Sequence, residues 1–258
     1  MDKDIVLMEK NEHIVTLIIN RPKALNALNR DVFRRLLALM GELEKMTEVR
    51  VVIIKGGGDK AFVCGGDIKD MLNLDVLGGQ EFGGYGGIIT KKMNEMSDKI
   101  FIAAINGYAL GGGLELALGC DLRVCTEKSK MGLPEVTIGV VPGNGGTQRL
   151  PRTVGKAVAM EMMVTGNAVS AERAERIGLV NAVVPEGQLM PVCEALATKI
   201  IANSPMAVTA CKELLTKGIE MTLEQGILME SFAFGRCFAT QDQKEGMAAF
   251  VEKRQANY

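Results

Sequence analysis

The stretch NGYALGGGLELALGCDL, residues 106–122, joins three consecutive glycines, Gly111 to Gly113, to a single acid, Glu115, inside an otherwise apolar run. Glycine is a poor helix former, and an unpaired carboxylate is costly to bury. Both features suit a strand that turns sharply into a helix and leaves backbone N–H groups open. Glycines there let a ligand approach the main chain closely. Free N–H groups at a helix start favour negative charge. The segment is therefore read as a place to hold an anion or a developing oxyanion. A plain strand-to-helix turn is the simpler alternative. A dinucleotide-binding turn matches poorly, because GGGLEL lacks the GxGxxG spacing.

Two further stretches carry similar chemistry. GGGDKAFVCGGDIKDM, residues 56–71, puts Gly65 and Gly66 after a strand-like run. Two such backbone donors, far apart in sequence, can converge on one oxygen. MGLPEVTIGVVPGNGGTQRL, residues 131–150, brings Glu135 behind a proline and then a glycine-rich turn, Gly143–Gly146, into a helix-like segment. Taken singly, each reads equally well as a surface loop.

The rest of the chain sets the frame. Its 258 residues suffice for one large domain or a domain with an appendage. Apolar residues make up 47% and charged residues 24%, an ordinary globular balance. A net charge of −1 gives no global signal for nucleic acid or an anionic membrane. No charge-free apolar run of ~20 residues appears, so no membrane span is expected. The polar N-terminus, MDKDIVLMEKNE, resembles neither a signal peptide nor a transit peptide. Six cysteines form no CxxC pair, and His13 is the one histidine, so no usual zinc set exists and no metal is expected. Six reduced thiols in a cytoplasmic protein are expected.

Short β-branched runs at His13–Asn20, Val51–Lys55, Ile100–Ile105, Leu122–Thr126 and Leu179–Val184 read as strands. Between them, Arg30–Met46 carries an amphipathic stripe behind an Asn29 cap, and Lys91–Met96, Leu114–Leu118 and Ala157–Val164 are other helix candidates. The rhythm predicts an α/β fold of stacked strand–strand–helix units with mostly parallel pairing. After about residue 187 the strands stop. Gln188–Ala202, Pro205–Lys217, Leu223–Phe238 and Gln243–Gln255 read as helices, with Pro205 at a first helical position and Thr222 as a cap. This divides the chain into a core, residues 1–187, and a helical region, residues 188–258, expected to cover the site or pack on another subunit.

Taken together, the three stretches, with NRPKALNALN (Asn20–Asn29), AERIGLVNAVVP (Ala174–Pro185) and CFATQDQKEGMAAFVEKR (Cys237–Arg254), resemble the crotonase (enoyl-CoA hydratase/isomerase) superfamily in order and spacing over nearly the whole chain. The similarity is strongest to its short-chain enoyl-CoA hydratase branch. The resemblance implies a crotonase-like spiral of ββα units and a C-terminal helical trimerisation region, with trimers commonly paired into hexamers. It implies an acyl-CoA substrate and no separate cofactor, coenzyme A being part of the substrate. The family's oxyanion hole maps onto the amides of Gly66 and Gly112, where the first position is usually Ala. Its two carboxylates map onto Glu115 and Glu135.

Hydrating an α,β-unsaturated thioester needs a proton taken from water and one delivered to the α-carbon. Two acids flanking one water can do both if one is ionised and the other protonated. Glu135 is assigned as donor to the α-carbon and Glu115 as activator of water; a concerted step would merge these roles. Contacts to CoA are implied for Lys23, Ala24 and Leu25 in the Arg21–Leu25 turn, for Cys64, Gly66, Asp67, Ile68 and Lys69, for Gly112, and for Lys253, the last often across a subunit boundary. For the lysines, solvated surface charge is the alternative.

Some positions depart from the family pattern. Leu133 stands where Gln is usual, Met131 where Phe is common, and Leu114 replaces a frequent Cys. LDVLGGQEFGGYGG, Leu74–Gly87, falls where the family is variable and often mobile; it is expected to line the acyl end, while its composition equally suits a flexible surface loop. The expected activity is reversible hydration of short trans-2-enoyl-CoA. An enoyl-CoA isomerase, or a specialised hydratase of cyclic or branched acyl groups, is the alternative within the fold. An RNA-binding role finds no support in the charge.

Overall fold

The order of elements repeats a simple unit: one strand in a large sheet, a second in a small sheet, then a helix. A computed structural model describes residues 3–258; Met1 and Asp2, with which the expected core begins, lie outside the described residues. A hairpin opens the chain, β1 (Val6–Asn11) and β2 (Ile14–Ile19), followed by α1 (Arg30–Leu43). The first full unit is β3 (Val51–Gly56), β4 (Ala61–Cys64), the single turn α2 (Ile68–Met71) and the long α3 (Val76–Glu95). The second is β5 (Ile100–Ile105), β6 (Tyr108–Leu110) and α4 (Gly112–Gly119). The third is β7 (Leu122–Thr126) and β8 (Lys130–Gly132), followed by α5 (Gly146–Val154) and α6 (Lys156–Thr165). Short pieces close the core: β9 (Val169–Ser170), α7 (Ala171–Arg176) and β10 (Ala182–Val184). Four helices follow, α8 (Leu189–Ile201), α9 (Pro205–Gly218), α10 (Leu223–Cys237) and α11 (Gln241–Glu252).

The large sheet runs β1-β2-β3-β5-β7-β10 and the small one β4-β6-β8-β9. Pairing is parallel except at the two edges, β1 with β2 and β8 with β9. The central strands are buried on both faces, which is why they read as unbroken apolar runs. Val52, Ile54, Phe101, Ala103 and Ile105 face the main core. Their alternates Val51, Ile53, Ile102 and Ala104 face a second core closed by Leu189, Cys193 and Ala197 of α8. The crossing between sheets is stitched from one unit to the next: Asn106, between β5 and β6, accepts from Gly56 N at 3.2 Å and donates to Gly58 O at 2.8 Å.

Several expected elements are present with their caps. Asn29 accepts from Val32 N at 2.9 Å, Ser204 from Ala207 N, and Thr222 and Gln225 form a reciprocal capping box. Others differ. The Leu74–Gly87 stretch, open to a loop reading, forms most of helix α3 behind the Asp75 cap, and it absorbs the separate helix expected at Lys91–Met96. The strand expected at Leu179–Val184 shrinks to its last three residues, because Leu179 and Val180 bond back to Ala174 and close α7. All six cysteines are free, and among the described residues no helix is long and apolar enough to cross a membrane.

The helical region is tied to the core by a buried charge. Lys212 of α9 donates to Met93 O at 2.9 Å, to Lys99 O at 2.7 Å and to Asp121 Oδ2 at 3.0 Å, and lies over the Phe101 ring. Removing one partner of such a set leaves unpaired polar atoms in a dry place. Lys212→Ala is expected to destabilise the fold by about 3 kcal/mol, measured by urea denaturation.

Candidate functional site

The glycine triplet resolves residue by residue. Gly111 has φ +51° and swings β6 into α4; a side chain there would be strained and would press on Glu135 Oε1. Gly113 lies against the Val63 backbone, leaving no room for a Cβ between α4 and β4. Gly112 is the first helical residue, so its amide has no partner within the helix. On the facing loop, Leu28 N donates to Gly65 O and Asp67 N to Leu28 O, both at 2.8 Å, which holds the chain on either side of Gly66. Among the described residues, neither the Gly66 nor the Gly112 amide donates a hydrogen bond. A Cβ built on Gly112 would lie 3.8 Å from the Gly66 nitrogen, so the two free donors converge.

Glu115, one turn into α4, is 1% exposed. Its Oε1 accepts from Asn144 N and Gly146 N, both at 2.8 Å. Burial pushes its carboxyl above the usual carboxylate range, opposed by those two amides, by the Asn144 side chain and by the Arg149 charge. Glu135 opens a 3-10 turn, Glu135–Ile138, that follows β8 and Pro134. Its Oε2 is buried with no partner among the described residues. Burial, reinforced by the charge of Glu115, raises its carboxyl to about 7. The two acids therefore differ in their surroundings: Glu115 accepts from two amides of the facing turn, while Glu135 keeps one buried oxygen unpartnered among the described residues.

Both acids and both free amides line one cavity of about 450 Å³. Cys64 and Ile68 line it too, with Phe82 and Gly83 of α3 and Val140 and Val141 on the far side. The other expected contacts lie outside it. Asp67 caps α2 and pairs with Arg21 at 2.9 Å, joining the Arg21–Leu25 turn to the Gly66 loop. Lys23 and Leu25 border a separate, smaller hollow. Ala24 and Lys69 are exposed, and Lys253 is an exposed left-handed C-cap of α11, away from the cavity lining. Within one chain, then, the structure gathers the expected acids and amides but not the expected lysines.

Sequence reasoning did not single out Phe82, Asn144 or Arg149. Asn144 sits in a glycine-rich turn, where asparagine has an ordinary conformational reason to be, so its type alone carried no signal. Leu133, Met131 and Leu114, the departures from the family pattern, are all fully buried.

The raised carboxyl of Glu135 has a consequence for stability. A carboxylic acid whose folded pKa lies above its unfolded value costs no stability below pH 4.5. The cost grows as pH rises towards 7 and is complete above it. Glu135→Gln is expected to raise the Tm at pH 8 by roughly 2–4 °C, the scale of about 1 kcal/mol once partial exposure is discounted. Calorimetry at pH 4.5 should show the gain vanish.

The sequence matches the Enoyl-CoA hydratase/isomerase family over residues 9–258. A short-chain-enoyl-CoA hydratase of Clostridium acetobutylicum is 43% identical over 254 residues, 98% of this chain and 97% of that protein. A crotonyl-CoA hydratase of Syntrophomonas wolfei is 44% identical over 253 residues, with the same coverage of each chain. The crystal structure of an enoyl-CoA hydratase from Bacillus anthracis superposes with a TM-score of 0.94 at 36% identity, covering 98% of both chains. With a match that spans both the spiral core and the C-terminal helices, this chain belongs to the enoyl-CoA hydratase/isomerase family.

Proposed function

We propose that the protein hydrates short-chain trans-2-enoyl-CoA to 3-hydroxyacyl-CoA, reversibly, at the cavity between α3 and α4. The observation that carries this reading is the convergence of two unpartnered amides and two unlike acids on one space. The Gly66 and Gly112 amides receive the thioester oxygen, and their hold tightens as that oxygen gains enolate charge. Ionised Glu115 takes a proton from water as the water oxygen bonds to C3. Protonated Glu135 gives its proton to C2, and the C2–C3 double bond becomes single. One turnover leaves Glu115 protonated and Glu135 ionised, and exchange with bulk water restores each. The hydratases among its relatives support the substrate class.

Crotonyl-CoA is the probe, followed by loss of the conjugated thioester absorbance. Rapid loss is expected, falling by a factor of ~10²–10⁴ in Glu115→Gln and in Glu135→Gln. The rate should also decline as pH rises through about 7, where Glu135 gives up its proton. Untouched crotonyl-CoA, with conjugation instead gained by a 3-enoyl-CoA, would replace this reading with an isomerase.

We further propose a homo-oligomer, a trimer or paired trimers, working in the cytoplasm. Six free cysteines suit a reducing compartment. Ile227, Leu228 and Phe232 of α10, which equally suited an intrachain core, are more than half exposed within the chain. An exposed apolar row of this kind is the usual mark of a protein interface. Light scattering on the purified protein should give a multiple of 27.7 kDa, and Phe232→Glu should lower it.

A further inference from the structure

We propose that Asn144 is a positioning residue for Glu115: its backbone N–H bonds the carboxylate while its side-chain amide anchors that turn to helix α3. The inference rests on the hydratase reading for its catalytic meaning, but not for its geometry.

The orientation of the side chain is fixed by its partners. Gly86 N, inside α3, donates to Asn144 Oδ1 at 2.8 Å. A backbone N–H can only donate, so the atom facing it is the oxygen and the NH2 group points the other way. There Nδ2 lies 3.7 Å from where a Cβ on Gly112 would stand, and the side chain helps the backbone amides to hold the Glu115 carboxyl down against burial. Asn144 also gives its own backbone N–H to Glu115 Oε1. One residue thus holds the acid through its backbone N–H and the helix through its side chain, and it is buried while doing so.

The helix is shaped for this contact. A Cβ on Gly86 would fall 2.5 Å from Asn144 Cβ and 2.6 Å from its Cγ, a distance no real side chain tolerates. One turn earlier, Gly83 packs on Gly143 at ordinary contact distance, its Cβ position 3.4 Å from Gly143 O. The bare face of α3 therefore sits directly on the 143–144 turn. Phe82 and Gly79 of the same helix line the cavity. Leu133, whose Cδ1 shares the space beside Gly146 with Glu115 Oε1, has no donor to offer the acid. The charged groups facing Glu115 are Arg149 from α5 and Glu135 from the turn after β8; neither α4 nor α3 presents a titratable group to it.

The test compares wild type, Asn144→Ala and Asn144→Asp. Aspartate keeps the shape and the Gly86 bond but turns an oxygen towards Glu115 in place of the NH2. The Glu115 carboxyl is titrated by carbon NMR on the glutamate-labelled, ligand-free protein and assigned with Glu115→Gln. In parallel, crotonyl-CoA kinetics are measured from pH 5 to 9. Releasing the turn that carries the Asn144 and Gly146 donors from α3 should raise the Glu115 pKa by about one pH unit in Asn144→Ala. The shift should be larger in Asn144→Asp, where a like charge replaces the donor. Turnover should fall about tenfold relative to wild type on the acid side of the profile, where Glu115 becomes protonated, and the deficit should narrow towards neutral pH. KM should change little.

A residue that merely packs would lower the Tm and leave the titration in place. Unchanged Glu115 titration in both variants overturns the proposal. Gly86→Ala provides a second route: it expels the side chain without altering residue 144 and should shift the same titration in the same direction. If wild type leaves crotonyl-CoA untouched while Glu115 shifts as described, the hydratase reading fails and the positioning role stands.

Discussion

The Glu115 carboxylate is the constraint around which the site is assembled. It lies in the first turn of α4, an eight-residue helix whose every residue is buried. An ion in such a place is tolerable only when other groups replace its water. They come from outside the helix. Asn144 N and Gly146 N, at the start of α5, donate to one oxygen, so the acid serves as the N-terminal acceptor of a second helix while sitting at the N-terminus of its own. Two helix starts thus face one negative charge. The 143–146 turn supplies the donors that replace water around Glu115, and Glu115 supplies the acceptor that the turn's amides need.

The same arrangement separates the two acids. Glu135 is reached by none of these donors, and one of its oxygens stays unpartnered. Desolvation therefore acts on it with little opposition, and the nearby charge of Glu115 adds to the effect. Unlike hydrogen bonding, rather than side-chain chemistry, distinguishes the two acids, since both residues are glutamate. The pair of free amides follows a similar logic. Gly112 has a free amide because helix starts always do, whereas Gly66 has one because its neighbours on both sides are bonded to Leu28.

The central strands were legible because burial on both faces leaves a continuous β-branched run, as at Val51–Lys55. The C-terminal helices were legible from their caps. The triplet Gly111–Gly113 with Glu115 pointed to the site for a reason visible in one dimension: glycine and an isolated acid are both costly there. Helix α3 was not legible, since its six glycines each weaken a helix by about 1 kcal/mol relative to alanine. What holds it is tertiary. Phe82 meets the Phe33 ring edge-on at 5.4 Å, Tyr85 stacks on the same ring at 5.3 Å, and Ile89 and Met93 are buried beneath. The short strands of the small sheet were legible only as approaches to the glycine turns at Gly65 and Gly111, and β8 and β9 not at all, being two to four residues long.

Gly66 shows how a departure from a family pattern can be absorbed without loss of the donor. The usual alanine would place its methyl 3.1 Å from Phe82 Cε1 and 3.2 Å from Met71 Sδ. Both side chains have closed into the space that the methyl would fill, and both line the cavity. The amide is unaffected, because its direction is set by the Leu28 bonds on either side and not by a side chain. The cost of the change falls on the wall instead. A methionine is flexible enough to retreat from an added methyl, while Phe82 is locked between α1 and the cavity by its contact with Phe33. The shape of the cavity wall is therefore tied, through Phe82, to the packing of α3 on α1, and the two free amides are tied to neither. That division lets the wall vary while the two amides and the two acids keep their places.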